Sequence, residues 1–212
     1  MKKSLLLFGL LLFVCFGLRA QIVSSRSVGI ASTPERPSEM MWYLRAGLNM
    51  GGFAGDDVDG LDRKVAYNFT YGFQKPIGSL GAYWGMDFGL GSRGYKLDEL
   101  SLLAHNLQVS PFTFGWKYEV VDNLSIEGHV GAFAACDYAG KIKYAGESVS
   151  MGDWEDDLGI DWSRFDAGMN IGFGLWYDRF NLDFTFQRGF VEAMSDTKAY
   201  TSNLMLRLGV AF

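Results

Sequence analysis

The chain has 212 residues, of which 49% are hydrophobic, 20% charged and 16% aromatic, with 27 glycines. This composition is too hydrophobic for a disordered chain, and the two cysteines are too few for a disulfide framework or a cysteine-rich zinc site. The formal net charge of −5 argues against a protein that binds nucleic acid through phosphate contacts. The length and composition therefore indicate one β-rich domain of ordinary size.

The amino terminus has the pattern of a secretory signal peptide over residues 1–20. A short basic start precedes an apolar stretch of about 15 residues, which is shorter than a spanning helix needs, and Ala20 provides a plausible cleavage point. Cleavage there would remove Cys15 and leave Cys136 alone, so no intrachain disulfide could form. Residues 21–39 are polar and show no periodicity, and we expect a flexible periplasmic leader there.

From residue 42 onward the apolar residues recur with a period of two, which is the pattern of β-strands. About eight such stretches can be read. In the fourth stretch the apolar residues change parity at Pro111, and we expect a bulge there because proline is tolerated mainly at bulges and edges. In chain order the apolar faces include Trp42, Leu44 and Leu48; Val65, Phe69 and Phe73; Trp84 and Phe88; Leu107 and Phe114; Ile126 and Val130; Phe165 and Ile171; Leu182 and Phe186; and Leu204 and Leu206.

The charged residues of these stretches all fall on the face opposite the apolar one. They are Arg45, Asp87, Lys117, Glu119, Glu127, Asp137, Asp166, Asp183 and Arg207. In a soluble barrel the second face would cover the outside and carry many Lys and Glu, whereas here it is rich in Gly, Asn and Thr, which suit a narrow interior. A lipid-facing Arg or Lys costs roughly 2–4 kcal/mol at the midplane, and strands in hydrocarbon must close to pair their backbone groups. We therefore predict an all-β fold, an eight-stranded antiparallel up-and-down transmembrane β-barrel over residues 40–212.

Short and long connections alternate between the predicted strands. The short ones lie near residues 74–79, 120–124 and 177–180, and the longer ones at 51–64, 91–106, 139–162 and 188–199. Outer-membrane barrels alternate in this way, with tight periplasmic turns and longer external loops. Both ends of the predicted barrel are therefore expected in the periplasm.

Several stretches resemble the PorT-like outer-membrane β-barrel family, a group of small barrels of the OmpA and OmpX type. The resemblance covers roughly residues 40–212 and implies the barrel fold and a location in the outer membrane of a Gram-negative bacterium. The family is named after a component of a protein secretion system. The residues that carry the resemblance are Arg164–Gly168, Gly172–Gly174, Tyr177, Phe180–Leu182, Phe186–Gly189, Leu107–Trp116 with Pro111, and the GLGSRGYK run at 89–96. The carboxy-terminal pattern of Leu206, Leu208, Val210 and Phe212 is similar to the signal read by the barrel-assembly machinery.

An eight-stranded barrel has a lumen just wide enough for side chains, so we expect a polar network rather than an open pore. Because the acids outnumber the bases, we also expect an ordered cation, ordered water or a carboxyl that holds its proton. The residues predicted to form this network are Arg45, Asp87, Lys117, Glu127, His129, Asp137, Asp166 and Arg207.

Two acidic clusters in the predicted external loops are weak candidates for Ca²⁺ binding, because Ca²⁺ prefers oxygen ligands. One contains Asp56, Asp57, Asp59 and Asp62, and the other contains Asp153, Glu155, Asp156 and Asp157. Neither matches an EF-hand loop, and solvated loops are the favoured interpretation. Such loops could also bridge lipopolysaccharide through divalent ions.

The sequence predicts no catalytic site and no cofactor. Acyl-chain enzymes among small barrels need a His beside a Ser and a carboxylate, and neither His105 nor His129 lies in a recognisable arrangement of that kind. We expect a structural or surface-binding barrel that contacts outer-membrane lipid and lipopolysaccharide, depends on the barrel-assembly machinery, and does not bind nucleic acid. One alternative is an accessory barrel of a secretion or envelope-assembly system with an envelope protein partner. A second is a soluble lipocalin-like ligand binder.

Overall fold

The computed structural model describes residues 40–55, 62–77, 80–97, 100–144, 147–153, 161–194 and 198–212. The predicted signal peptide and leader lie outside these residues and stay predictions. Among the described residues, no helix is long and apolar enough to cross a membrane.

Within the described residues the chain forms nine strands and one short 3₁₀ helix. They are β1 (Met41–Ala54), β2 (Asp62–Pro76), β3 (Ala82–Leu97), β4 (Leu100–Val121), β5 (Leu124–Tyr144), β6 (Glu147–Ser150), the 3₁₀ helix (Met151–Asp153), β7 (Phe165–Tyr177), β8 (Phe180–Glu192) and β9 (Tyr200–Ala211).

Eight of these strands close into a barrel, which confirms the predicted fold. The hydrogen-bonded order runs β4-β3-β2-β1-β9-β8-β7-β5, and β5 pairs in turn with β4. Every one of these pairs is antiparallel. The short β6 pairs with the last residues of β5, beyond the part of β5 that pairs with β7. Closure leaves no open edge around the ring, as a sheet surrounded by hydrocarbon requires.

The apolar side chains face outward, as the alternation predicts. Phe114, Ile171 and Leu206 are 53%, 60% and 45% exposed, whereas Glu127 and Asp183 on the other parity are fully buried in the lumen. The parity change in β4 is also confirmed, because its register with β5 shifts between Val109 and Phe112 around Pro111. This exterior is the reverse of a soluble fold and suits a lipid solvent.

The two ends of the barrel differ. One end, which we call the turn end, holds Met41, Ala211 and tight turns at 122–123 and 178–179, where Asn123 and Asp178 adopt positive φ. Asn and Asp tolerate this conformation better than other residues with a side chain. We call the opposite end the loop end.

The prediction of long connections at 91–106 and 139–162 is wrong for much of their length. β3 continues to Leu97 and pairs there with Leu100, the first residue of β4, so two residues connect the strands. β5 continues to Tyr144 and forms a hairpin with β6. The sequence pattern does not predict these strand ends because, near the loop end, the apolar residues of the alternation point inward and the polar ones point outward. Tyr95, Leu102 and Ile142 point inward and belong to an apolar cluster there.

We call this part of the molecule the strand extension: residues 92–97 of β3, 100–105 of β4, 139–144 of β5, and β6. Its core is apolar, and its outer face carries Ser101, Lys96, Lys141 and Lys143 beside Leu103, so it resembles a soluble β-structure more than the rest of the barrel does. The buried core residues are Tyr95, Leu102, Ala104, Ile142, Met151, Trp162 and Ala193, with Phe53, Leu100, Val149 and Met194 packed against them.

Candidate functional site

Glu127 of β5 lies at the centre of a polar cluster in the turn-end half of the lumen. Its carboxylate accepts hydrogen bonds from Gln74 Nε2 at 3.1 Å, from Tyr83 Oη at 2.5 Å and from Trp176 Nε1. The guanidinium of Arg45 lies 3.5 Å away. Because each partner comes from a different strand, the cluster ties the walls of the barrel together across the lumen.

Asp183 of β8 forms a second centre beside the first. Arg207 Nε donates to its carboxylate at 2.8 Å, and Thr185 Oγ1 donates at 2.9 Å. Arg45 and the Nε2 atom of His129 approach the other carboxylate oxygen at 3.6 and 3.8 Å. Arg45 therefore bridges Glu127 and Asp183.

Lys117 of β4 is a further cation of this half. Its Nζ donates to Gln74 Oε1 at 3.0 Å and lies 3.8 Å from the ring centroid of Trp176. Tyr43 of β1 donates a hydrogen bond to Asp87 of β3, on the far side of the intervening β2. The turn end of the lumen is thus filled by interlocked charged and aromatic groups.

A separate cluster closes the loop-end half of the lumen around Arg93 of β3. Its guanidinium donates to both oxygens of Asp137, at 3.2 and 2.9 Å, and to Asp166 at 2.5 Å. Trp162 Nε1 donates to Asp137 at 2.9 Å, and Thr201 Oγ1 donates to Asp166 at 2.5 Å. Trp162 also belongs to the apolar core of the strand extension, so this cluster connects the lumen to that core.

Between the two clusters lies a small polar cavity of about 20 Å³. Its lining includes Ser110, Asn170 and Gln187. Asn170 Oδ1 and Gln187 Nε2 lack a hydrogen-bonding partner among the described residues. A polar space of this size accommodates about one water molecule, which is far less than a permeation pathway needs. Over the described residues the lumen is therefore sealed by side chains.

The structure places all eight residues of the predicted lumen network inside the barrel, and it adds others. Asp183 stands on the polar parity of its strand and could have been included. The prediction missed Arg93 because it interpreted residues 91–106 as a connection. Arg93 supplies positive charge to a predicted network in which the acids outnumber the bases. The aromatic donors Tyr43, Tyr83 and Trp176 share the polar parity of their strands, which is the signal that could have found them. The expected ordered cation stays a prediction.

Most of the acidic candidates for Ca²⁺ lie outside the described residues, namely Asp56, Asp57, Asp59, Glu155, Asp156 and Asp157. Asp62 begins β2 and Asp153 ends the 3₁₀ helix. No group of three or more metal-ligating side chains occurs in the described part of the chain.

The two histidines lie on opposite faces of the barrel wall. His129 points into the lumen, whereas His105 faces outward, with its Nδ1 atom 3.1 Å from Tyr67 Oη and its ring 6.3 Å from that of Tyr138. Ser92 is the register partner of His105, but its side chain is fully buried and its Oγ accepts from the Tyr67 amide at 3.3 Å. The hydrogen bond with Tyr67, and not one with a carboxylate, thus orients His105. The expectation of a non-catalytic protein stays a prediction.

The residues of the predicted assembly signal end the last strand. Leu206, Leu208 and Phe212 face outward, and the Phe212 amide donates to the Trp42 carbonyl at 2.9 Å. The ring of Phe212 stacks on that of Tyr71 with centroids 6.5 Å apart. These aromatics form part of a belt around the turn end, and recognition by the barrel-assembly machinery stays a prediction.

Solved structures of small outer-membrane barrels are similar to this chain. The attachment invasion locus protein Ail of Yersinia pestis, solved with the heparin analogue sucrose octasulfate, has a TM-score of 0.43 and 16% identity over 82% of this chain and 97% of that one. Neisserial surface protein A has a TM-score of 0.49 and 8% identity over 82% and 97% of the two chains. The outer membrane enzyme PagL has a TM-score of 0.49 and 12% identity over 79% and 98%.

No protein-family model matches the chain, and neither does the sequence of any curated protein. The PorT-like resemblance therefore stays a prediction. The geometry of this chain shows its fold directly. That geometry is a closed eight-stranded antiparallel β-barrel with an apolar exterior and a polar, sealed interior.

Proposed function

We propose that this chain is a non-catalytic barrel of the Gram-negative outer membrane whose loop end serves as a binding surface. The observation that carries the proposal is the combination of a sealed lumen with a strand extension that has its own core. Within the described residues, side chains fill the lumen around a cavity of about 20 Å³, so we expect exchange with the surroundings to take place at the outer surfaces. The extension continues the sheet beyond the apolar belt, which is the outward-facing band that includes Phe114, Ile171 and Leu206. Such a sheet is suited to presenting side chains to a partner.

The distribution of side chains argues against the lipocalin-like alternative. A soluble ligand-binding barrel needs an apolar interior cavity and a polar exterior. Here the lumen holds buried ion pairs such as Arg93–Asp137, while Ile171 and Phe173 face outward. In water this exterior would be one continuous apolar band, which is typical of a membrane-embedded surface.

The proposal includes finer expectations from the sequence. They are export through a cleaved signal peptide, insertion by the barrel-assembly machinery, contact with lipopolysaccharide, and a possible envelope protein partner. The tight turns at the turn end favour its placement in the periplasm, because outer-membrane barrels have short periplasmic turns.

Cysteine labelling on whole cells tests this orientation. In a Cys136→Ser background, Ser148→Cys probes β6 at the loop end and Lys75→Cys probes the turn end; all three positions are exposed. A membrane-impermeant maleimide should label Ser148→Cys on intact cells and Lys75→Cys only after the outer membrane is permeabilised. The opposite pattern, or a protein that is extracted without detergent, would contradict the proposal.

Bilayer recordings test the sealed lumen. The purified full chain should give no stable conductance steps after insertion into a planar bilayer, because charged and aromatic side chains fill both halves of its lumen. Regular ion conductance by the folded barrel would contradict the proposal of a sealed lumen.

A further inference from the structure

Four lysines lie on or beside the outer face of the strand extension, and we call them the lysine patch: Lys64, Lys96, Lys141 and Lys143. Ser101 of β4 is their centre, since it pairs in register with Lys96 on one side and Lys143 on the other. From β2, the Nζ atom of Lys64 reaches Ser101 Oγ at 2.6 Å. Lys141 follows two residues away on the same face of β5. The last three lysines of the patch are exposed.

An aromatic group marks the level below the patch. Tyr67 and His105 stack with ring centroids 5.7 Å apart, and the ring of Tyr138 lies 6.3 Å from that of His105. Tyrosine rings of transmembrane barrels gather at the membrane–water interface. Ser101 lies four residues beyond His105 on β4, or roughly 13 Å along the strand at about 3.3 Å per residue. With the usual strand tilt, this places the patch in the headgroup region.

The change of the barrel interior from polar to apolar indicates the same height for the membrane–water interface. On β4, the inward residue Asn106 is polar. Ala104 and Leu102, which lie two and four residues nearer the loop end, make the interior apolar there. On the outside the order is opposite, since Leu107 is 57% exposed and Ser101 is polar. The surrounding solvent therefore changes from lipid to water between Leu107 and Ser101.

The patch concentrates positive charge. Burial, and then the neighbouring charges of Lys96 and Lys143, lower the pKa of Lys64, which lies beyond the aromatic level and outside the apolar belt. Of the described carboxylates, Asp62 pairs in register with Lys96, and Glu147 lies beside the register partner of Lys143. The four lysines outnumber these two acids, so a bound anion would relieve repulsion within the patch.

We propose that the lysine patch binds the phosphate groups of lipopolysaccharide, the phosphorylated glycolipid of the outer leaflet. The two-part surface matches such an amphiphile: lysines at the headgroup level, and outward Leu90 and Leu107 below the aromatic level to contact acyl chains. Lysine ammonium groups bind phosphate as compact point charges. The inference rests on the proposed function, because it requires the loop end to face the outer leaflet.

Binding of bisphosphorylated lipid A to the purified, detergent-solubilised full chain tests the inference. The K96Q/K143Q double variant removes two exposed charges of the patch. The K75Q/R179Q variant removes two charges at the turn end and serves as the matched control. With ~1 kcal/mol for each lysine near an anionic lipid surface, K96Q/K143Q should bind about 30-fold more weakly, or ~2 kcal/mol. K75Q/R179Q should stay within about twofold of the unmodified chain.

Three results would overturn the inference. The first is unchanged affinity in K96Q/K143Q with retained barrel fold. The second is equal binding of dephosphorylated lipid A, and the third is full displacement of lipid A by inorganic phosphate, which would indicate a site for a soluble anion. Labelling of Ser148→Cys only from the periplasm would overturn the proposed function as well. Labelling from outside, together with unchanged lipid A binding in K96Q/K143Q, would overturn the lipid inference alone.

Discussion

The apolar belt and the strand extension are continuous along the same strands, yet their insides and outsides are reversed. On β4, Phe114 points outward in the belt while Thr113 fills the lumen, and in the extension Leu102 points inward while Ser101 faces out. The backbone pairing is the same in both regions, since β4 keeps its partners β3 and β5 throughout. The solvent on each side of the wall, and not the strand geometry, therefore decides which side chains go inside.

The two regions also differ in what holds them together. The lumen of the belt is joined by hydrogen-bonded ion pairs such as Arg207–Asp183, whereas the extension has an apolar core around Leu102. A buried charge without its partner is costly, while an apolar core loses stability in proportion to the cavity that a truncation leaves. Substitutions in the two regions should thus destabilise the protein for different reasons.

The largest effect is expected for Asp183→Asn. This change leaves the buried guanidinium groups of Arg45 and Arg207 without their shared carboxylate, and it should lower the free energy of unfolding by ~3–5 kcal/mol. Urea unfolding of the barrel in lipid vesicles, followed by tryptophan fluorescence, measures this loss. Asp178→Asn is the matched control, because Asp178 is 65% exposed at a turn and lies 3.9 Å from Arg179. A surface pair of this kind contributes ~0–1 kcal/mol, and an equal loss in both variants would contradict the account of the lumen.

A pair of Leu→Ala changes on β4 separates the two regions directly. Leu102→Ala creates a cavity in the core of the extension and should cost ~2–5 kcal/mol of local stability. Leu107→Ala faces lipid and leaves no cavity, so it should lack the cavity term and destabilise the loop end less than Leu102→Ala does. Hydrogen exchange of the β3 and β4 amides measures both effects. Faster exchange at the loop end in Leu107→Ala than in Leu102→Ala would contradict the reversal of the core.

The belt could be predicted from the sequence because it obeys one rule throughout. Lipid outside and a narrow polar lumen inside give strict alternation, so even the bulge beside Pro111 was visible as a change of parity. The extension could not be predicted in the same way. Its alternation continues, but Arg93 and Tyr95 point inward while Lys96 faces out, and a pattern search for outward apolar residues reads this as a loop.

The sequence places some members of the lumen network inside the barrel, but it does not predict their pairing. Parity alone places Glu127, Asp137 and Arg45 inside. It does not say that Arg45 joins Glu127 to Asp183 or that Arg93 joins Asp137 to Asp166, because these contacts connect strands far apart in sequence. Barrel closure and strand stagger determine those neighbours, and neither is encoded in local periodicity.

Ile171→Arg tests the lipid-facing assignment of the belt. Ile171 is 60% exposed and pairs with Val130 and Phe186 near the middle of its strand. An arginine there should lower the free energy of unfolding in vesicles by ~2–4 kcal/mol, because its charge must enter hydrocarbon. Ser148→Arg places the same side chain on the exposed face of β6 and should cost less than about 1 kcal/mol. Equal tolerance of both changes would contradict a lipid-facing belt.

The smallest of these effects concerns the junction between the two regions, where Trp162 packs in the extension core and donates to Asp137 in the lumen at 2.9 Å. Trp162→Phe keeps an aromatic ring but removes this donor, while Asp137 keeps Arg93. Losing one hydrogen bond to a charged group should cost ~1.5–3 kcal/mol. Hydrogen exchange should quicken at the loop ends of β3, β4 and β5 and stay unchanged in the belt, whereas Trp42→Phe at the turn end should leave the loop end unaffected. If Trp162→Phe accelerated exchange equally in both regions, the belt and the extension would unfold as one unit, and their different interiors would not make them energetically separate.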